Sequence, residues 1–339
     1  MLFLKNYLLY FSICLSLPSI LLYIAEVLTI IRHKSLHNSF YALFCMRAFN
    51  GFLYILDSYY GYRIPNLFPN WFLANPYPEW TFSTFIFFTH YSLLGDNLAS
   101  ICIMLNRFTA IALPTKHQTI WKKINLFACF LIFILPLNAI GMLNINCIYL
   151  VQRDEKNESI ISIDITEREN EGKLNYYIKL STIESIFFLC IFILINLMIV
   201  FAYKQRLKKQ VGVLVKNLNE GNKKDQIERK LWFFALFTSS GQMLIAIIVI
   251  CIYIANLWNL YSIQSVLGSI YSIIMDLGIV VMPSWLLIWA SQTFRIKLIQ
   301  TFLPEKIHKK IIGTMTQSSK MIQNGHTTIK VLPSNLPKI

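Results

Sequence analysis

The feature that most constrains this chain is a series of seven long apolar runs separated by polar connections. The runs cover residues 7–31, 39–60, 82–114, 124–147, 177–203, 231–255 and 263–290. Each has roughly the 20 residues that an α-helix needs to cross a bilayer. Only 14% of the residues are charged, whereas a soluble domain has about a quarter. The runs predict an all-α membrane protein, with a seven-transmembrane-helix bundle over residues 1–290 and a tail over 291–339.

The distribution of lysine and arginine predicts the orientation of this bundle. Of the 31 basic residues, 22 lie in the first, third and fifth connections and the tail, and six lie in the N-terminal segment and the even connections. Cytoplasmic connections carry the excess of basic residues. We therefore expect an N-terminus outside and a cytoplasmic C-terminus.

The fourth connection, 148–176, is acidic and contains an Asn157-Glu158-Ser159 triplet. This triplet has the pattern of an N-glycosylation acceptor. Because the charge distribution independently places the connection outside, we predict a glycan on Asn157.

Composition also bears on several other functional classes. The net charge of +14 raises the question of nucleic acid, but most of the basic residues lie between apolar runs, as in a membrane protein. The seven cysteines lie within or at the edges of the runs, and no pair has CxxC spacing. We find no nucleophile–base pair and no metal motif. The sequence therefore predicts a non-enzyme in the lipid bilayer, without a cofactor, a metal site or a nucleic-acid partner.

Ionisable residues inside membrane helices are costly and face the bundle interior or a cavity. Glu26 lies five residues before the end of the first run, and Arg47 lies eight residues into the second. At 1.5 Å per residue, their depths differ by about 5 Å. We therefore expect a structural ion pair between Glu26 and Arg47.

Four further ionisable residues are candidates for a ligand pocket or for polar contacts within the membrane. Asp96 and Asp276 fall near mid-membrane in the third and seventh runs, and His90 and Glu184 lie closer to the outer side. The two carboxylates are suited to binding a cation, contacting a polar ligand or hydrogen-bonding to neighbouring helices. A ligand from outside meets His90 and Glu184 first. The alternative is that both side chains only form hydrogen bonds within the helix bundle.

The cytoplasmic end of the third run carries Asn106 and Arg107, followed by Phe108. An arginine buried one or two turns before a helix exit is costly without a partner. In a receptor it serves as a switch, paired at rest and released when helices move. The alternative is an arginine that extends to the inner headgroups.

Several short motifs now carry a family resemblance. They are Ser16-Leu17-Pro18-Ser19, Asn38-Ser39-Phe40-Tyr41, Arg63-Ile64-Pro65, and Asn106-Arg107-Phe108 with Pro114 and Trp121. With seven helices, the chain looks like a G-protein-coupled receptor, and these motifs resemble the nematode serpentine chemoreceptors of class gamma (Srg). The related class Srv shares several of them. The resemblance implies a plasma-membrane receptor of sensory cells, with an external small-molecule ligand and a heterotrimeric G protein as partners.

By this resemblance, Arg107 takes the place of the arginine in the Asp-Arg-Tyr motif of rhodopsin-like receptors. The residue before it is Asn106 instead of an acid, and no cysteine lies at the outer start of the third run. The seventh run has Met282-Pro283-Ser284-Trp285 where rhodopsin-like receptors have Asn-Pro-x-x-Tyr. The alternative function is a ligand-gated ion channel or transporter, with Asp96 and Asp276 as a midplane carboxylate site.

The cytoplasmic segments suit a docking role. Connection 204–230 is densely charged, and Phe294, Leu298 and Phe302 recur at four-residue spacing. This spacing predicts a short amphipathic helix over about 292–303 on the inner leaflet. Such surfaces fit either a G protein or anionic lipid.

Overall fold

The computed structural model describes residues 2–78, 80–144, 147–153, 159–165, 168–211, 218–258 and 260–303. The chain divides into two compact units, Met1–Ser291 and Gln292–Ile339. The predicted glycosylation residue, Asn157, lies outside the described residues.

The first half of the first unit is helical. In chain order its segments are α1 (Leu2–Arg32), a 3₁₀ turn (Lys34–Leu36), α2 (Ser39–Asp57), a π-helical turn (Ser58–Arg63), α3 (Ile64–Leu67), α4 (Pro69–Ala74), α5 (Trp80–Ala112) and α6 (His117–Ile134). A 3₁₀ segment (Leu135–Asn144) continues α6.

The second half contains a hairpin and three further helical spans. Its segments are β1 (Cys147–Arg153), β2 (Ser159–Ile165), α7 (Arg168–Val211), α8 (Leu218–Leu257), α9 (Tyr261–Met275), a π-helical turn (Asp276–Val281) and α10 (Met282–Ala290). The second unit contains α11, Gln292–Phe302, where the sequence predicts a short amphipathic helix.

Among the described residues, six helical segments are long and apolar enough to cross a membrane. They are Tyr7–Arg32, Ser39–Leu67, His117–Gly141, Lys179–Arg206, Trp232–Leu257 and Val266–Ala290. These correspond to six of the seven apolar runs. The third run forms α5, which has 33 residues but does not belong to this apolar set.

The position of α5 explains its polarity. It packs against α2, α6, α7 and α8, and every residue from 90 to 97 is buried. A helix with protein on all sides does not need an apolar surface for lipid, so it can carry polar residues that face neighbouring helices. Its buried polar residues are Thr81, Ser83, His90, Ser92, Asp96, Asn97, Ser100 and Asn106.

Local sequence accounts for three of the helix ends. The side chain of Asn38 accepts a hydrogen bond from the Tyr41 backbone N–H and so caps α2. Pro114 follows the end of α5, because a proline cannot continue a helix without losing a backbone hydrogen bond. Pro136 has the same effect within the predicted fourth helix, 124–147. There α6 ends at Ile134 and a 3₁₀ segment follows.

An antiparallel hairpin follows this 3₁₀ segment. Strands β1 and β2 pair from Cys147 with Ile165 to Arg153 with Ser159. The hairpin is a small element that the all-α prediction did not include. The segment Ser159-Ile160-Ile161-Ser162-Ile163 is rich in isoleucine, a β-branched residue that favours strands.

Candidate functional site

Arg47 is the centre of a buried polar cluster between four parts of the bundle. Its Nε lies 2.8 Å from Oδ1 of Asp96 on α5, and its Nη2 donates to the carbonyl oxygen of Gly278 at 3.0 Å. Gln242 of α8 donates to the second oxygen of Asp96 at 2.5 Å. Arg47 and Asp96 are fully buried. The cluster therefore connects α2, α5, α8 and the second π-helical turn.

A second ion pair joins the two π-helical turns. Arg63, in the first turn, lies 2.5 Å from Oδ2 of Asp276, in the second, and both side chains are fully buried. Arg63 also donates to the hydroxyl of Ser16 on α1 at 3.1 Å and lies over the ring of Tyr59. Tyr54 donates a longer hydrogen bond to the same carboxylate. We refer to Arg47, Asp96, Gln242, Arg63 and Asp276 as the polar network.

The π-helical turns give the network its geometry. A π turn inserts one residue into a helix, and such turns occur often at functional sites. The second turn presents the Asp276 carboxylate to Arg63 and the Gly278 carbonyl to Arg47. Gly278 also packs against Gly241 of α8, since a Cβ on Gly241 would lie 3.1 Å from the Gly278 Cα.

The predicted ion pair between Glu26 and Arg47 is wrong. Arg47 pairs with Asp96 instead, and neither oxygen of the fully buried Glu26 has a hydrogen-bond partner among the described residues. Depth along the helices allowed the pair, but depth does not determine which face of α2 carries the arginine. That face is directed at α5.

His90 and Glu184 do come together. His90 Nε2 lies 3.2 Å from Glu184 Oε2, without the geometry of a hydrogen bond. Asn138 Nδ2 lies 3.5 Å from the other carboxylate oxygen. Glu184 is 21% exposed and His90 is 8% exposed. This pair joins α5 and α7 and is more exposed than the polar network.

Asn106 and Arg107 lie at the end of the bundle formed by connections 33–38 and 113–116, which we call the basic end. The Asn106 amide donates to the Ser39 hydroxyl at 2.9 Å, and the Arg107 guanidinium lies 3.8 Å from the centre of the Phe40 ring. A guanidinium over an aromatic face gains a cation–π attraction of about 0.5–1 kcal/mol at exposed sites. Arg107 is thus positioned by α2 as well as by its own helix.

A cavity of about 630 Å³ opens at this end. It is lined by Ile30, Leu36, His37, Asn38, Ser39, Phe40, Ala42, Asn106, Arg107, His117, Gln118, Trp121, Lys122 and Asn125. The lining residues come from α1, α2, α5, α6 and the connection between the first two helices. We call it the basic-end cavity.

The short motifs of the sequence contact one another in the fold. Ser16 pairs with Arg63, and Ser19 accepts a hydrogen bond from the Trp285 indole at 3.0 Å. Asn106 pairs with Ser39. These motif residues therefore form hydrogen bonds between helices that are distant along the chain.

Sequence reasoning missed Arg63 and Gln242 as buried residues of the network. It assigned Arg63 to the second connection, whereas the structure buries it completely. The available signal was its place in Arg63-Ile64-Pro65, one of the motifs that carry the family resemblance. Gln242 lies in an apolar run, and its own polarity was the only hint.

Among the described residues, the fold and the site define a multi-pass membrane protein with a polar helix, α5, packed inside the bundle and a buried polar network between its helices. The model of the Srg chemoreceptor family matches residues 9–298. This chain therefore belongs to the Srg family of chemoreceptors, which is a receptor family and not an enzyme family.

A curated relative supports the same assignment. Serpentine receptor class gamma-15 of Caenorhabditis elegans is 30% identical to this chain over 108 residues. The aligned part makes up 30% of this chain and 32% of that protein, so the match spans about a third of the relative's length. The prediction of an Srg chemoreceptor is confirmed.

Proposed function

We propose that this chain is a seven-span chemosensory receptor of the plasma membrane that binds an external small molecule and signals through a heterotrimeric G protein. In this proposal, α5 also crosses the membrane, as the third helix in chain order, and so brings the number of spans to seven. The N-terminus is outside and the basic end faces the cytoplasm. The excess of basic residues in the odd connections and the tail supports this orientation. Sensory cells are the proposed site of expression.

The observation that carries the proposal is the position of Arg107. It lies at the basic end beside an open cavity, over an aromatic ring. Arg107 is only partly buried, so helix movement can bring its guanidinium to a partner molecule without separating a fully buried ion pair. Asn106 and Arg107 are therefore our candidates for the coupling switch.

The other polar residues take different roles in this proposal. Asp96 and Asp276 hold the bundle together, because each contacts a fully buried guanidinium. His90 and Glu184 are candidates for ligand contact, since Glu184 is partly exposed. A midplane cation site, as in a channel or transporter, is disfavoured, because the arginines already compensate both carboxylates.

Coupling is tested by expressing the full chain with a G-protein reporter and screening a panel of volatile and water-soluble organic molecules. We expect a concentration-dependent response that Arg107→Ala abolishes at unchanged surface amount. Lys123→Ala is the matched control, because it removes an exposed positive charge at the same end of the bundle. A normal response from Arg107→Ala would contradict the switch role.

Orientation is tested separately with a tag on the N-terminus. We expect staining of intact cells, together with a glycan that glycosidase removes and that Asn157→Gln lacks. Surface protein that stains only after permeabilisation would contradict the orientation and favour the channel alternative.

A further inference from the structure

The basic-end cavity has the charge of an anion site. Arg107 and Lys122 both line it, together with two histidines, His37 and His117, and none of its lining residues is acidic. A concave surface with charge of one sign concentrates ions of the opposite sign. Its volume of about 630 Å³ lies within the range of about 300–1,000 Å³ typical of small-ligand pockets.

Two helix N-termini add to this charge. The first turns of α2, which begins at Ser39, and of α6, which begins at His117, both contribute lining residues. The first amides of a helix have no acceptor within the helix, and the helix dipole is positive at this end. At α6, Lys116 provides no side-chain cap, although the His117 N–H donates to the Leu113 carbonyl oxygen. At α2, the Asn38 side chain already accepts from the Tyr41 N–H, so this helix end contributes mainly its dipole. The two helix dipoles favour an anionic group in the cavity.

The cavity also contains hydrogen-bond acceptors. Asn106 is 1% exposed, and its amide nitrogen is already bonded to Ser39. The side-chain oxygens of Asn106 and Asn125 are buried and have no hydrogen-bond partner among the described residues. A buried acceptor without a donor costs about 1–3 kcal/mol. The ligand that fits therefore has hydroxyl donors as well as anionic groups.

The depth of the cavity indicates where such a ligand would come from. One apolar span ends at Arg32, and two others begin at Ser39 and His117. The cavity therefore lies where the apolar part of the bundle meets the headgroup layer. Beside it, the side chains of Ile31 and Ile124 are exposed on α1 and α6, as on a surface that faces lipid.

We propose that the basic-end cavity binds a phosphorylated polyol, the headgroup of a phosphoinositide in the adjacent leaflet. Phosphates contact Arg107, Lys122 and the two helix N-termini, and hydroxyls donate to Asn106 and Asn125. Bound there, the headgroup lies next to the candidate switch residue. The proposal rests on the proposed function only for the orientation of the basic end toward the leaflet that holds such lipids.

The test is native mass spectrometry of the purified full chain, titrated with phosphatidylinositol bisphosphate, phosphatidic acid or phosphatidylserine. Lys122→Gln removes one cavity charge, and Lys123→Gln is the matched control, because this neighbouring exposed lysine does not line the cavity. We expect Lys122→Gln to raise the dissociation constant of the bisphosphate lipid at least about five-fold. One basic residue contributes about 1 kcal/mol to the attraction of anionic lipid, which corresponds to this factor. Lys123→Gln should leave the binding unchanged.

Asn125→Ala tests the polyol part of the proposal. It should weaken binding of phosphatidylinositol bisphosphate but not of phosphatidic acid, which has a phosphate and no inositol. Equal losses for Lys122→Gln and Lys123→Gln, or equal binding of phosphatidylserine and the bisphosphate lipid, would overturn the proposal, because both results indicate general attraction to a basic surface.

A final arm identifies the source of the headgroup. Soluble inositol trisphosphate that binds much more weakly than the lipid supports the leaflet as the source. If the soluble headgroup binds equally well, with the same sensitivity to Lys122→Gln, the cavity is still the binding site, but its ligand is a soluble phosphorylated polyol and not a lipid. This binding experiment needs no chemosensory ligand and no G protein, so its failure and that of the proposed function are distinguishable.

Discussion

The buried arginines of the polar network and the arginine of the basic end have the same side chain but opposite surroundings. Arg47 and Arg63 are fully buried, and each contacts a fully buried aspartate. Arg107 is partly exposed, lies over the ring of Phe40 and lines a cavity without acidic residues. The first two are held between helices, whereas the third lies where a partner molecule has access.

This difference teaches that an ionisable residue in a membrane helix does not indicate function by itself. A buried charge whose partner is removed costs about 3–5 kcal/mol, so Arg47 and Arg63 must keep their partners for the bundle to fold. Arg107 is partly exposed, and the contacts of a partly exposed charge cost less to exchange because water competes for them. A residue that changes partner during signalling is therefore better placed at the basic end than in the network.

The largest expected effect comes from Arg47→Ala. It leaves Asp96 buried without its guanidinium, and we expect a loss of about 3–5 kcal/mol in the free energy of unfolding. The measurement is the amount of monodisperse protein in mild detergent together with its melting temperature. The double variant Arg47→Leu with Asp96→Leu should recover part of the loss, because no unpaired charge remains. A single variant as stable as the wild type would contradict a structural role.

A smaller effect is expected for the interaction energy between Arg63 and Asp276, which joins the two π-helical turns. A double-mutant cycle of Arg63→Gln and Asp276→Asn should give a coupling energy of about 0.5–3 kcal/mol, as for other contacting pairs. Denaturant titration of the four proteins in mixed micelles measures it. Strictly additive losses would show that the two turns do not depend on each other.

The smallest effect is expected for Glu26→Gln. Neither oxygen of Glu26 has a hydrogen-bond partner among the described residues, so the substitution removes no ion pair and keeps the side-chain shape. We expect a change in the free energy of unfolding below about 1 kcal/mol. A loss of unfolding free energy as large as that of Arg47→Ala would contradict this expectation and favour an ion pair between Glu26 and Arg47.

Much of the helical framework could be predicted from the sequence, because lipid requires long apolar helices. Six of the seven apolar runs contain helical segments apolar enough to cross a membrane. The π-helical turns at Ser58–Arg63 and Asp276–Val281 could not be predicted, because a single inserted residue leaves the apolar pattern almost unchanged. They are recognised in the structure by the backbone hydrogen bonds from the Ile64 N–H to the Tyr59 carbonyl and from the Met282 N–H to the Leu277 carbonyl, each of which spans five residues.

Three of the five network residues could be predicted from the sequence, but their partners could not. Asp96, Arg47 and Asp276 stand out as ionisable residues within apolar runs, and they belong to the network. Their partners depend on helix rotation, which hydropathy does not determine. For this reason the sequence paired Arg47 with Glu26, although its partner is Asp96. Arg63 was missed because its run ends just before it, so it was counted with the connection.

The measurement that tests the central claim most directly compares Arg47→Ala, Arg63→Ala and Arg107→Ala in one experiment. Each variant is expressed as a fluorescent fusion, and the folded fraction is read from size-exclusion chromatography before and after a heat step. We predict that the two network variants lose most of their folded protein and that Arg107→Ala behaves as the wild type. Loss of folded Arg107→Ala protein, or survival of the network variants, would contradict the distinction between the structural arginines of the network and the proposed switch residue.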